Sequence, residues 1–149
     1  MIRTALFAGT FDPFTRGHQA LVERALNIFD RVVVAVGRNM DKKCMFSVEE
    51  RVAAVEELYS DDSRVAVAVY DTLTMDFARE VGATALLRGV RSVKDFEYER
   101  DIADVNMRLG GVDTFLLISE PEYSSVSSSV VRELMKYGKE VTAFMPIKK

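Results

Sequence analysis

The stretch Ala5-Leu6-Phe7-Ala8-Gly9-Thr10-Phe11-Asp12-Pro13-Phe14-Thr15-Arg16-Gly17-His18 decides how the rest of the chain is read. Ala5 to Ala8 is a short apolar run of the kind that forms a buried strand. Beyond the stretch, Leu21, Val22, Ala25, Leu26 and Phe29 recur at the spacing of one helical face. The segment from Gly9 to His18 therefore leaves the carboxyl end of a strand and enters the amino end of a helix. Gly9 lets the backbone come close to a ligand, and Gly17 opens the helix without a side chain in the way. Free N–H groups and the macrodipole at such a helix start attract phosphate. His18, the only histidine, falls in the first helical turn. A capping or surface role is the usual one for a lone histidine, but the spacing Thr-x-Gly-His between strand and helix points to phosphate contact. Neither Gly-x-Gly-x-x-Gly nor a Walker P-loop occurs in the chain, which argues against an oxidoreductase or a P-loop enzyme.

Working outward, Val32 to Val36, Val65 to Val69, Ala85 to Leu87 and Thr114 to Ile118 read as four more buried strands. Helical patterns alternate with them. One begins at the capping box Ser47-Val48-Glu49-Glu50 and places Val48, Val52 and Val55 on one face. Others run from about Met75 to Val81, Asp95 to Leu109 and Val130 to Tyr137, stopping at Gly82, Gly110-Gly111 and Gly138. This alternation predicts an α/β fold: a single Rossmann-like domain over residues 1–149, with a five-stranded, mostly parallel sheet flanked by helices. Ligands of such sheets bind beyond the carboxyl ends of the strands, so the loops there should carry the chemistry.

Composition narrows the possibilities. In 149 residues, a hydrophobic fraction of 48% and a charged fraction of 29% are those of a globular protein able to bury a core. The net charge of −3 and the lack of a basic run argue against a nucleic-acid partner. No apolar run approaches a membrane span. Met1 to Phe7 runs straight into a strand-like segment and is too short for a signal peptide. One cysteine makes neither an internal disulfide nor a zinc site. The expected compartment is the cytoplasm.

In an acidic chain, positive charge aimed at phosphate must be local. Lys42-Lys43, before the second helix, would ordinarily be a solvated loop, but they share the sheet edge with His18. Leu87-Arg88-Gly89-Val90-Arg91 follows the fourth strand and offers two guanidinium forks around a glycine. Salt bridges to Asp95 or Glu97 compete for Arg91 more than for Arg88. Asp95-Phe96-Glu97-Tyr98-Glu99 suits a helix start. The tract Ser124-Ser125-Val126-Ser127-Ser128-Ser129 holds more serines than one N-cap needs, which fits hydroxyls and N–H groups lining a nucleotide site. Cys44 has no histidine partner near it in sequence and reads as a bystander.

Together these residues make the chain resemble the phosphopantetheine adenylyltransferases, within the nucleotidyltransferase superfamily that shares a (His/Thr)-x-Gly-His signature. The resemblance runs from Gly9-Thr10-Phe11-Asp12-Pro13 to Ser127-Ser128-Ser129-Val130-Val131-Arg132, nearly the whole chain. Thr-x-Gly-His marks only the superfamily; Lys42-Lys43-x-Met45-Phe46, Arg88-Gly89-Val90-Arg91 and Asp95-Phe96-Glu97-Tyr98-Glu99 are the more specific part. The resemblance implies His18 and Lys42 as catalytic residues, with Thr10 and His18 at the transferring phosphate. It implies Thr10, Lys42, Thr74 and Arg88 for the acceptor, Thr74 beside the pantetheine arm. For ATP it implies Thr10, Phe11, His18, Gly89, Val90, Arg91, Glu99, Tyr123, Ser124, Ser125, Val126, Ser127, Ser128 and Ser129. It further implies a Mg²⁺-dependent homohexamer in coenzyme A synthesis, with ATP and 4′-phosphopantetheine as substrates and the metal carried by ATP rather than by protein ligands. Ala8 and Cys44 stand where the family usually has proline, and Ser125 where an aromatic residue is common. The chain ends soon after Pro146, where many relatives continue through a last helix.

The chemistry suits direct displacement. A phosphate monoester, with a second pKa of ~6, is already a nucleophile near neutral pH and needs no base. What remains is to bring two anions together and stabilise the charge on the transferring phosphate. Two other expectations compete: an adenylyl- or cytidylyltransferase with another acceptor, such as nicotinamide mononucleotide, and a non-catalytic nucleotide-binding domain, which would need neither His18 nor Lys42.

Overall fold

β-Branched and alanine-rich runs build the centre of the protein. In this computed structural model, which describes residues 1–38 and 43–149, they form β1 (Thr4–Gly9), β2 (Arg31–Gly37), β3 (Val65–Tyr70), β4 (Ala85–Val90) and β5 (Asp113–Ile118). The five strands make one sheet in the order β3-β2-β1-β4-β5, and every pair is parallel. Parallel strands need crossovers, supplied by α1 (Arg16–Ala25), α2 (Val48–Leu58), α3 (Thr74–Glu80) and α4 (Val93–Gly110); α5 (Ser128–Lys136) follows β5. This is the α/β sheet that the alternating pattern predicts.

Alternation along β1 explains how both faces become core. Ala5 and Phe7 point to the face covered by Leu21, Val22 and Ala25 of α1 and Val55 of α2. Leu6 and Ala8 point to the other, against Met75, Phe77 and Ala78 of α3. Val34, at 0% exposure, is at the centre, where full burial of such a side chain contributes about 1.5–3 kcal/mol.

Helix starts and stops follow local chemistry. Ser47 and Glu50 exchange side-chain-to-backbone bonds, each 3.1 Å, to open α2. Gly111 ends α4 in the left-handed conformation, φ 65°. Several boundaries differ from expectation. β4 runs on through Val90, because Arg88, Gly89 and Val90 pair with Leu116, Leu117 and Ile118 of β5; Arg88 and Gly89 are strand residues, not loop residues. α5 begins at Ser128 rather than Val130, since Ser127 is the N-cap and accepts from the Val130 N–H at 3.2 Å.

The sheet order places the switch point between β1 and β4. β1 pairs with β2 over six positions, yet with β4 only at Ala5–Ala85 and Leu6–Leu86. Beyond Leu6 and Leu86 the ladder stops, so a crevice opens between the carboxyl ends of these two strands, the position where such sheets bind ligands.

Candidate active site

The crevice is a cleft of about 370 Å³. Ala8 to Asp12 form one wall, Arg88 and Gly89 another, and the first turns of α1 and α5 close it. These two helices are the ones with no acidic residue in the first turn; α2, α3 and α4 carry Glu49 and Glu50, Asp76, and Asp95 there. Two uncompensated positive helix ends thus face one space, which suits a polyanion. Lys43, Arg88, Arg91 and Arg132 add side-chain cations to the lining.

His18 is both a cap and a cleft residue. Its backbone N–H donates to Thr15 Oγ1 at 3.4 Å, and the Thr15 N–H donates to its Nδ1 at 2.9 Å. Because Nδ1 accepts, the proton of the neutral ring is on Nε2. Phe7, Phe11 and Phe14 surround the imidazole, with ring centroids 5.9, 5.0 and 5.2 Å away. Burial in this aromatic box, and then the nearby Arg88 and Arg91 charges, push its pKa from 6.5 down to about 3. At neutral pH His18 is therefore an uncharged N–H donor, suited to a developing negative charge rather than to proton abstraction. Gly9 suits the same box: a Cβ there would crowd the Phe11 ring at 3.1 Å. Phe11 itself adopts φ 51°, an unusual conformation for a bulky residue, held where its ring packs on Phe7, Phe14 and His18.

Arg88 and Glu99 form a bidentate pair: Arg88 Nε donates to Glu99 Oε2 at 2.9 Å and Nη2 to Oε1 at 2.8 Å. Arg88 Nη1 also donates to the Ala8 carbonyl at 2.7 Å, across the gap where the β1–β4 ladder has stopped. The salt bridge expected to matter more for Arg91 is thus more developed at Arg88. Arg91 has its own carboxylate, Asp95, at 3.3 Å. The Arg88 side chain is still 39% exposed and lines the cleft, so it remains within reach of a ligand there.

Of the residues expected to hold substrate, Thr10, Phe11, His18, Arg88, Gly89, Arg91, Glu99, Tyr123, Val126, Ser127, Ser128 and Ser129 line the cleft together. Lys42 lies outside the described residues; Lys43 and Cys44, which follow it, are in the lining. Val90 points into the core, and Ser124 and Ser125 are exposed outside the lining. Thr74, the first residue of α3, lines an adjoining cavity of about 340 Å³ with Leu6, Leu73, Met75 and Ile102. The two spaces share Ala8, Arg88 and Glu99.

Asp12 and Arg132 carry site geometry that the sequence motifs left without a role. Asp12, 2% exposed, accepts from the Met45 and Phe46 N–H groups at 2.8 and 2.9 Å. Arg132 donates to the Asp12 carbonyl at 2.8 Å and to Ser129 Oγ at 3.2 Å, while Ser128 Oγ donates to the Pro13 carbonyl at 2.7 Å. These bonds fasten the start of α5 to the glycine loop. The signal was a charge inside an otherwise apolar turn, Phe11-Asp12-Pro13-Phe14, and an arginine one helical turn after the serines.

Comparison with known proteins identifies the family and the fold. Residues 6–134 match the cytidylyltransferase-like family. A phosphopantetheine adenylyltransferase of Phocaeicola vulgatus is 53% identical over 145 residues, 97% of this chain and 96% of that protein. One from Porphyromonas gingivalis is 51% identical over 142 residues, 95% and 93% of the two chains. Among solved structures, a bifunctional NMN adenylyltransferase/ADP ribose pyrophosphatase from Francisella tularensis, complexed with AMP and a manganese ion, superposes with a TM-score of 0.73 at 16% identity. It covers 97% of this chain, which spans only 44% of that longer protein, and at this identity the likeness is one of fold. With about half its residues shared with full-length relatives, the chain belongs to the phosphopantetheine adenylyltransferases of the cytidylyltransferase-like family.

Proposed function

We propose that the protein transfers the adenylyl group of ATP to 4′-phosphopantetheine, giving dephospho-coenzyme A and pyrophosphate in coenzyme A synthesis. The observation that carries this reading is the pairing of spaces: a cationic cleft at two helix starts, joined at Arg88 to a second cavity that is mainly apolar. ATP occupies the first against Gly89, Arg91, Tyr123 and the Val126 to Ser129 turn, and the acceptor's phosphate meets Arg88 and Lys42. The uncharged arm runs into the second, past Leu73, Thr74 and Met75. Among the described residues only Arg88 and Glu99 bring charge to that cavity, and they neutralise each other, which favours an amide-bearing arm over a nicotinamide mononucleotide.

The acceptor's phosphate oxygen attacks the α-phosphorus of ATP, and the bond to the bridging oxygen breaks as pyrophosphate leaves. His18 donates from Nε2 to the charge that builds on the α-phosphate, and the start of α1 adds a smaller contribution of the same sign. No covalent enzyme intermediate is needed, so Cys44 has no chemical role although it lines the cleft. Asp12, Asp95 and Glu99 line the cleft but already accept from Met45 and Phe46, from Arg91, and from Arg88. They do not fit a resident metal cage; Mg²⁺ enters with ATP as part of the substrate.

No helix among the described residues is long and apolar enough to cross a membrane, and we place the reaction in the cytoplasm. A homo-oligomer, hexameric as in the family pattern, is supported by an exposed apolar row on α4, Tyr98, Ile102, Val105 and Leu109, and by the exposed Ile118 at the end of the edge strand β5. The function is tested by pyrophosphate release from ATP and Mg²⁺ with each acceptor. Release with 4′-phosphopantetheine and none with nicotinamide mononucleotide is expected; the reverse preference overturns the assignment.

A further inference from the structure

Arg51 sits on the inner face of α2 at 6% exposure, and among the described residues its hydrogen bonds go to main-chain carbonyls alone. Nη1 donates to Thr10 O at 2.7 Å and Gly37 O at 3.0 Å; Nε donates to Phe46 O at 3.2 Å. Burying a guanidinium without a carboxylate is unfavourable, and α2 would fold more cheaply with an apolar residue there. The three carbonyls explain its presence. Thr10 follows β1, Gly37 ends β2, and Phe46 closes the loop that enters α2. The bond network is reciprocal: Asp12 grips the Phe46 N–H while Arg51 grips the Phe46 carbonyl. Thr10 and Asp12 on one side, and Lys43 and Cys44 on the other, line the cleft. Arg51 does not touch that space.

We propose that Arg51 is a positioning residue for adenylyl transfer: its planar fork, with Asp12, sets the spacing between the Thr10–Asp12 loop and the 43–46 loop, and hence the alignment of the two bound phosphates. This role rests on the function given above. Direct displacement depends on such alignment, because a misplacement of about 1 Å can cost about 10²-fold in rate without removing any contact to substrate. Lysine cannot substitute. A single Nζ on a flexible stem does not reproduce a rigid fork that reaches Phe46 from one edge and Thr10 and Gly37 from another.

The test is Arg51→Lys, which keeps the cation and most of the stem, beside Arg51→Met, which keeps volume without charge. Both are compared with the parent in single-turnover kinetics, equilibrium ATP binding and amide hydrogen exchange. For Arg51→Lys we expect a folded protein, ATP affinity within about threefold of the parent, and kcat lower by about 10²-fold. The Met45 and Phe46 amides should exchange faster while the α2 amides from Val55 onward stay protected. Arg51→Met should lose kcat at least as far. An active parent with Arg51→Lys turning over within about threefold of it overturns the role of Arg51 alone. So does a loss of activity that only tracks loss of folded protein, or one confined to KM. A parent that turns over no acceptor overturns the proposed function, and the positioning role with it.

Discussion

The backbone N–H of Thr15 donates to Nδ1 of His18 at 2.9 Å, and so fixes which nitrogen of the ring carries the proton. A helix cap thereby becomes part of a catalytic device: the same bond that closes the first turn of α1 leaves Nε2–H as the ring's one donor. His18→Ala should lower kcat by about 10²- to 10³-fold, the usual effect of deleting one donor to a transition-state oxyanion. Equilibrium ATP binding should change little. Near-normal turnover in this variant would remove His18 from the chemistry.

The same environment makes the protein sensitive to acid. His18 titrates at about 3 in the native state, depressed by burial and by Arg88 and Arg91, against 6.5 in the unfolded chain. Below pH 6.5 the unfolded chain gains a proton that the native one refuses, so stability falls with pH through the window from 6.5 to about 3. By pH 5 this should amount to about 2 kcal/mol relative to neutral pH. Denaturant unfolding of the parent and of His18→Ala at both pH values checks it. The difference between the two proteins should grow in the parent's disfavour as pH falls. An equal slope in both would mean the imidazole is as well solvated as in the unfolded chain.

Much of this was legible because it is local. The capping box at Ser47 and Glu50, the glycine stops at 82, 111 and 138, and the strand patterns all follow from near neighbours in sequence. What was not legible joins residues far apart. Arg51 reaches Thr10 across 41 positions, Arg132 reaches Asp12 across 120, and the Gln19 side-chain amide pairs with the Ile147 backbone across 128. In sequence Arg51 looks like one of the many charges of an amphipathic helix. Its only signal is register, since it falls beside Val48, Val52 and Val55 on the inner face. Arg88 and Arg91 were recognisable as cations near a glycine, but which carboxylate each meets depends on how far β4 extends before α4 begins. The strand runs two residues beyond Arg88, and that brings Glu99, two turns into α4, to its fork.

That pairing gives a further, separable prediction. Arg88→Ala should weaken use of the acceptor far more than ATP binding, because Arg88 stands where the cleft meets the apolar cavity. It also strands Glu99, whose side chain is only 10% exposed, and should cost on the order of 1–3 kcal/mol, tempered by the solvent that reaches Arg88. Adding Glu99→Gln removes the stranded charge. The double variant should therefore regain most of the stability in thermal unfolding while acceptor KM stays high. If stability and acceptor use recover together, Arg88 serves the fold and not the phosphate.

The apolar cavity supplies the last test. Thr114 of β5 lines it, and its hydroxyl is buried with no hydrogen-bond partner among the described residues. An unpaired hydroxyl of this kind costs stability when the cavity is empty, and a turn about the Cα–Cβ bond would present it to a polar group that arrives in the cavity. The arm of 4′-phosphopantetheine carries two amides; Leu6, Met75, Leu86 and Val105 offer it only apolar contact, while Thr74, Asn106 and Thr114 are the uncharged polar residues of the lining. Thr114→Val keeps the shape and deletes the hydroxyl. The variant should be as stable as the parent or more so, by up to about 1 kcal/mol, since nothing in the protein loses a partner. With substrate the sign reverses: acceptor KM should rise by about five- to tenfold, the equivalent of about 1 kcal/mol, while the KM for ATP stays unchanged. Initial-rate kinetics with each substrate varied in turn, alongside thermal unfolding, reads both effects. An unchanged acceptor KM would place the arm's amides elsewhere and leave the Thr114 hydroxyl without a role in substrate binding.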